Sequence, residues 1–573
     1  AGGNALFVGE LVRYVQSSST RQSSAGIRLE RVLRERILDL SDPPLELLEV
    51  LAVAGRPMVS DVARQAAGLE HAQGMQAQTE LRLSHFIRTS GSPERRTIEV
   101  LHDRVREVVL GLLDEPEQQR MHARIADALR AAGDVDPELL FSHFRAAGRV
   151  DRACEFAEAA AERAERALAF DRATHFYRYV LTNGSPSKKL QISLGSALSH
   201  AGRSPEAAQA FLEAARTANE AERLELLRRA AEQLLLSGHV DQGVEAMEAV
   251  LHALGMGLSK TPLHALVTLI FLRLWLSIRL AFTGNGPMSD GTSVAATMLT
   301  RIDVCWSVGA GFAVVDTVRA AEFQTRNSLL SLSAREPMRL ARALALETVL
   351  QATRGPHARA SASKILDRVR LLAERSSDPA LGAYRAFGQA GLSYFTGEFR
   401  RANEVFRESV DPFRDVVVDS RWELSSLYYF NLCAMVFTGE FREVSRQLPP
   451  VVRESEERGD LYLHTNLRVG DTNLLWLVHD EPDAALHVVE ESMSRWSRRS
   501  FHVQHFYEAQ ARANVALYRG DGASALAAIE RVDDQHAVDA ALCEKTIEQI
   551  GKIGTGLGRC RHHPKAQGPG LDL

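Results

Sequence analysis

The sequence predicts a mainly α chain. A small three-helix domain carrying a β-hairpin comes first, and a long stack of helical hairpins follows. Three observations predict this. Two short β-prone runs flank a turn signal within the first hundred residues. Almost everything after residue 117 has helical periodicity. The turns between those helices recur in phase. The bulk numbers agree with a multidomain globular chain: 573 residues, 45% apolar, 25% charged and a net charge of −5. That length suggests three or four domains, and that charge gives no overall pull toward nucleic acid. The five cysteines, Cys154, Cys305, Cys433, Cys543 and Cys560, are scattered, with no metal-pair spacing. This pattern is expected of reduced thiols in a cytoplasmic protein.

In chain order, "GGNALFVGELVRYV" (2–15) reads as a tight turn followed by a helix with Leu6, Phe7, Leu11, Val12 and Val15 on one face. It looks like the end of a domain whose body would precede residue 1. Residues 25–116 read as the small mixed domain. "DPPLELLEVLAVAG" (42–55) has Asp42 as the expected cap, prolines at the helix start and Gly55 at its end. "SDVARQAAG" (60–68) repeats that design with Ser60 as cap, and a third helix is expected over about 76–85. "FIRT" (86–89) and "RTIEVL" (96–101) flank "SGSPER", a hairpin signal. A helix from Asp103 to about Leu113 completes a winged helix. Such domains often bind DNA. Here the recognition-helix candidate, "QAQTELRLSH" (76–85), has one arginine and little base-reading chemistry, so no nucleic-acid partner is expected.

Residues 117–255 form a first helical-repeat block, 256–345 an atypical helical segment, 346–545 repeats of about 40 residues, and 546–573 a disordered tail. The turns "ATRGPHARA" (352–360), "YFTGEFRRA" (394–402) and "VFTGEFREV" (436–444) are 42 residues apart. "VHDEPDAAL" (478–486) and "YRGDGASAL" (518–526) continue the series. Upstream, "FRAAGRVDRACEF" (144–156), "SHAGRSPEAAQAF" (199–211) and "LLSGHVDQGVEAM" (235–247) are looser copies. Ala402, Ala485 and Ala525 would let paired helices approach closely. One hairpin per 34–42 residues marks a solenoid resembling the tetratricopeptide repeat, whose expected role is to bind a protein or peptide. In the atypical segment, "LHALVTLIFLRLWLSIRLAF" (263–282) is long enough to span a bilayer but contains Arg273 and Arg279. It is read as a helix sandwiched between other helices, in preference to a membrane contact.

No catalytic constellation can be assembled. The phosphate loop G-x-x-x-x-G-K-[ST] is approached only by "LGMGLSKT" (254–261), where Leu254 and Ser259 occupy the glycine positions. "IGTGLG" (553–558) follows no strand. The His-Asp pair in "LHDRV" (101–105) lacks the further ligands a metal needs, and its order is wrong for a kinase catalytic loop. It reads either as a packed histidine at a strand end or as a nucleotide sensor.

Two motifs support the sensor reading by resemblance. "GGNALFVGELVRYV" looks like the lid motif of STAND-type signalling ATPases, G-G-N-P-L-F, with Ala5 in place of the proline. "EVLHD" (99–103) looks like the "MHD" motif that ends their winged helix, with Leu101 in place of the methionine. Segments 301–347 and 494–521 are similar to bacterial serine/threonine protein kinases that carry a STAND ATPase and a repeat array. The resemblance implies that residues 1–24 are the lid helix of an ATPase core lying upstream. Gly3, Asn4 and Ala5 would lie at the adenine base, and His102 with Asp103 near the phosphates. It implies no cofactor for this chain alone, ATP or ADP with Mg in a longer parent, and self-association on activation. A stand-alone scaffold and a winged-helix transcriptional regulator are the competing readings.

Overall fold

The computed structural model describes residues 29–92, 96–133, 136–259, 262–282, 294–313, 316–417, 420–499 and 501–530. The lid segment 1–24, with Gly3, Asn4 and Ala5, and the tail 546–573 lie outside them. The chain divides into two compact units, Ala1–Leu190 and Gln191–Leu573.

The first unit opens with the helices Leu29–Leu38, Asp42–Ala54, Ser60–Ala67 and His71–Leu83. Three short strands follow the same order of chain: β1 (Met58–Val59), β2 (Ile87–Ser90) and β3 (Thr97–Val100). They form an antiparallel sheet in the order β1-β3-β2, with Met58 opposite Ile98 and Ile87 opposite Val100. Leu33, Ile37, Leu48, Leu51, Ala63, Leu81, Phe86, Ile98 and Val109 make its core. The third helix begins at His71, earlier than expected, and the helix from Asp103 stops at Leu110.

The expected caps shift by one residue. Asp42 and Ser60 are the first helical residues, and Ser41 and Val59 occupy the cap positions. The Ser60 hydroxyl instead donates to Gln78 Oε1 at 2.7 Å, tying two helices together. Gly55 ends its helix as expected. Its φ of 64° is left-handed, and a Cβ there would meet Arg106 Nη2 at 2.8 Å. Helices Glu115–Ala132, Pro137–Ala146, Val150–Arg166 and Phe170–Asn183 complete the described part of this unit as hairpins. A seam of small buried residues, Ala153, Ala157, Ala160, Ala161 and Ala164, lets them pack closely.

The second unit is a succession of helical hairpins, from Ser204–Ala215 to Val503–Tyr518. Its turns explain the repeated sequence. In the two copies of "FTGEFR", Gly397 (φ 86°) and Gly439 (φ 79°) are left-handed. The Glu398 N–H bonds Ser393 O at 2.8 Å and the Glu440 N–H bonds Met435 O at 2.9 Å. Gly397 and Gly439 bond Tyr394 O and Val436 O, each at 3.1 Å. This is a Schellman turn, which satisfies the last carbonyls of one helix and aims the chain into the next. Asp480 (φ 61°) serves the same purpose without glycine, its successor Glu481 bonding Trp476 O at 2.8 Å. The flanking phenylalanines link successive copies, Phe399 stacking on Phe437 with centroids 4.7 Å apart. Ala402 and Ala485 are fully buried and Ala525 nearly so, which fits the close approach expected of them.

The apolar stretch forms the helix Pro262–Phe282 and overturns the expectation of a sandwiched helix. It is long and apolar enough to cross a bilayer, yet only 11% of that stretch is buried. Ala265 and Leu276 face inward, while Phe271, Leu274, Trp275 and Phe282 are exposed. The inward side also carries the arginines. Arg273 Nη1 lies 2.8 Å from Glu347 Oε1, and that carboxylate is wholly buried. Arg279 Nη2 donates to Ser333 Oγ at 3.1 Å. A buried carboxylate demands a paired cation, so pairing Arg273 with Glu347 turns the charged positions toward the array. The apolar side is then left facing out.

Candidate functional site

His102 stands where β3 gives way to the helix Asp103–Leu110. Strand pairing closes just before it, the Leu101 N–H bonding Phe86 O at 2.8 Å. His102 then takes the extended cap conformation (φ −142°, ψ 139°). Its carbonyl accepts from Val105 N at 3.0 Å and Arg106 N at 3.3 Å, opening the helix. Arg106 Nε holds that helix to its neighbour by donating to Ala52 O at 2.8 Å. The backbone at His102 is therefore fixed from both sides, while the His102 and Asp103 side chains are both exposed.

Asp103 is the first helical residue, with His102 in the cap position and no side-chain cap bond. Asp103 therefore places its charge in the first turn, at the positive end of the helix dipole. Among the described residues neither side chain has a hydrogen-bond or ion-pair partner. The pair is thus an outward-facing imidazole and carboxylate on a rigid corner. Such a corner can offer one charge-assisted hydrogen bond to an anion that docks on it.

The second unit contains a polar cluster that sequence reading did not single out. Asp303, on the helix Ala296–Gly311, accepts a bidentate pair from Arg339, Nε at 2.9 Å and Nη2 at 2.7 Å. It also accepts from Arg342 Nη2 at 2.8 Å, and the Arg342 guanidinium lies 4.6 Å over the Trp306 ring. Burial by itself would raise the Asp303 carboxyl, but Arg342 and Arg339 outweigh it and hold it below its ordinary range. Nearby, Tyr384 donates to Glu423 at 2.9 Å. Burial pushes that carboxyl up to about 7. Asp460 caps the helix Leu461–Val469 through Leu463 N at 2.9 Å and accepts from Ser425 at 2.7 Å; burial pushes it up to about 6. The signal for Asp303 is a lone carboxylate directly before the largely apolar run "VCWSVGAG" (304–311), a position where a charge must find a partner.

These groups hold helices in register and keep charges paired. The thiols of Cys305 and Cys433 are buried, with that of Cys305 pushed up to about 12 by desolvation, which makes it a poor nucleophile. Among the described residues no group of three or more His, Cys, Asp or Glu is placed to hold a metal ion.

No protein-family model matches the chain, and no curated protein sequence does. Among solved structures the chain is similar to a Signal Transduction ATPase with Numerous Domains (STAND) protein with a tetratricopeptide repeat sensor, from Pyrococcus horikoshii. The identity is 10% and the TM-score 0.32, with 82% of this chain covered. This chain spans 66% of that neighbour's length.

Proposed function

We propose that this chain is the regulatory and sensor region of a multidomain signal-transduction ATPase, in the setting of a serine/threonine protein kinase. The helical hairpins bind a protein or peptide ligand. The lid segment and the winged helix gate a nucleotide-dependent switch, and activation brings copies together.

The observation that carries this reading is the corner at His102. An imidazole with a fixed backbone and an exposed, unengaged side chain is poorly explained by packing, and it suits a surface that closes on a phosphate. The lid-like residues Gly3, Asn4 and Ala5 and the "EVLHD" run support the same reading by resemblance. In the longer parent, ADP with Mg would supply the charge that the corner recognises. His102 would hold the closed state by one charge-assisted hydrogen bond, roughly 1.5–3 kcal/mol. A ligand on the array opens the switch only as far as it prefers the open state to the closed one.

The test is ADP dissociation from the longer gene product, compared with its His102→Ala variant. ADP should leave about tenfold to a hundredfold faster, with the melting temperature little changed because His102 is exposed. Unchanged ADP release would sink the gate. The chain of 573 residues, which lacks a phosphate-loop motif, should by itself show no stoichiometric micromolar binding of ATP·Mg in calorimetry.

A further inference from the structure

The second unit contains a cavity of about 300 Å³ that the reading above does not use. It lies among the inward side of the apolar helix Pro262–Phe282, through Leu266 and Leu269, and the helices Thr317–Ala334, Pro337–Ala352, Pro379–Phe395 and Arg421–Thr438. Its walls include Phe387, Phe395, Trp422 and Phe430. Among the described residues, no Asp, Glu, Lys, Arg or His lines it. Helical arrays ordinarily fill such space with side chains, because a void forfeits dispersion contacts on all its walls. An apolar cavity of about 150 Å³ binds benzene, so this larger one has room for two or three fused or linked rings, or an equivalent acyl chain.

One wall group is out of place in an apolar void. Ser426 is 3% exposed, lines the cavity, and its Oγ has no hydrogen-bond partner. The Tyr462 phenol is its polar neighbour on the same wall. Two other polar groups of the wall are engaged elsewhere: Gln324 Nε2 donates to Ala343 O at 2.7 Å and Thr353 Oγ1 to Leu350 O at 2.8 Å; Thr317, Trp422 and Tyr462 add further polar atoms to the wall. A buried hydroxyl left unpaired costs stability unless something arrives to pair it.

We propose that this cavity is a binding site for an uncharged, mainly apolar small molecule of two to three rings, or a medium-length acyl chain, carrying one hydrogen-bonding group that pairs with Ser426. Aromatic walls supply the apolar contact, and Ser426 fixes the orientation, which is the usual division of labour in small-molecule pockets. The absence of any charged wall residue selects against anions and cations, whose desolvation nothing there would offset.

The probe is N-phenyl-1-naphthylamine, uncharged, aromatic and carrying a single N–H, titrated into the full chain and followed by its fluorescence. Saturable one-to-one binding is expected. Ala321→Phe, which fills the cavity from its wall, should weaken binding at least tenfold without lowering the melting temperature. Ser426→Ala should weaken it about three- to tenfold, again with the melting temperature unchanged or raised, since an unpaired group is removed. The related anion 1-anilinonaphthalene-8-sulfonate should bind at least tenfold more weakly than the uncharged dye. Phe271→Ser with Trp275→Ser, on the exposed side of the apolar helix, should leave binding intact. Binding that survives both cavity variants but disappears in the surface variant would place the dye on the outer stripe and overturn the proposal. So would equal affinity for the two dyes, or no saturable binding at all.

Discussion

Around His102, the apolar side chains of several helices and three strands close on one centre, and the fully buried residues include no charged side chain. From Ala296 to Tyr518 the arrangement differs. The apolar core runs on from hairpin to hairpin, and polar groups are taken inside it: Asp303 with its arginines, Glu347 with Arg273, Glu423 with Tyr384. A single-centred domain can keep its charges at the surface because every element has an outer face. A stacked array cannot, since a middle helix is covered by neighbours on both flanks. The array must pair what it buries, and those pairs then fix which helix sits on which. In the small domain His102 stands out by its exposure; in the array Ser426 stands out as a buried hydroxyl whose Oγ has no hydrogen-bond partner.

The sharpest way to break that contrast is to unpair a buried charge. Arg273→Ala leaves the Glu347 carboxylate buried without its cation and should cost about 3–5 kcal/mol. Limited proteolysis should then cut first around the helix Pro262–Phe282. Adding Glu347→Gln in the same chain should recover most of the loss. An Arg273→Ala protein that melts like the parent would mean that the pair does not hold this helix.

Next in size are a steric and an electrostatic test within the array. Ala402 is fully buried beside the Schellman turn at Gly397. Ala402→Phe should overpack the hairpin and cost roughly 1–3 kcal/mol, read as a lower urea midpoint; an unmoved midpoint would contradict this packing. Glu423 has the opposite dependence on pH from a surface carboxylate. Its folded pKa is raised, from an ordinary 4.5 to about 7, by burial. The folded state therefore holds the proton more tightly than the unfolded one between those values. Glu423's contribution to stability is greatest below about 4.5 and is lost as pH rises through about 7. Glu423→Gln should remove that slope and raise stability at pH 8 by on the order of 1–3 kcal/mol. Parallel pH–stability curves for variant and parent would show that Glu423 is not the group responsible.

The smallest effect separates turns from packing. Leu168 adopts the same left-handed conformation (φ 57°) as the repeat glycines, and its side chain is 70% exposed. Leu168→Gly should therefore stabilise by about 0.5–1 kcal/mol through relief of strain at that one residue. Gly397→Leu, the reverse change in the array, should destabilise. If both changes destabilise, the exposed Leu168 side chain has a packing role that its exposure conceals.

The sequence by itself determined the local and periodic features. Alternation of β-prone runs and turn residues located β2 and β3. The phase of "FTGEFR" located the hairpins, because a Schellman turn requires one left-handed residue and then a fixed start to the next helix. The position of His102 at a strand end was legible for the same reason: the run "RTIEVL" can go no further once Asp103 opens a helix. Turns at Leu168 and Arg335 escaped, since neither residue type gives a sign of a positive φ. Only the tertiary structure decided what depends on partners distant in the chain. Periodicity could not orient the helix Pro262–Phe282, which is apolar nearly all round. Its facing was set by one buried carboxylate, Glu347, far along the chain. The same holds for Asp303, which becomes intelligible only beside Arg339 and Arg342. It holds for the cavity at Ser426, whose walls come from helices distributed over almost two hundred residues of sequence. Hydrophobic pattern specifies that a side chain is buried; only the three-dimensional arrangement specifies against what.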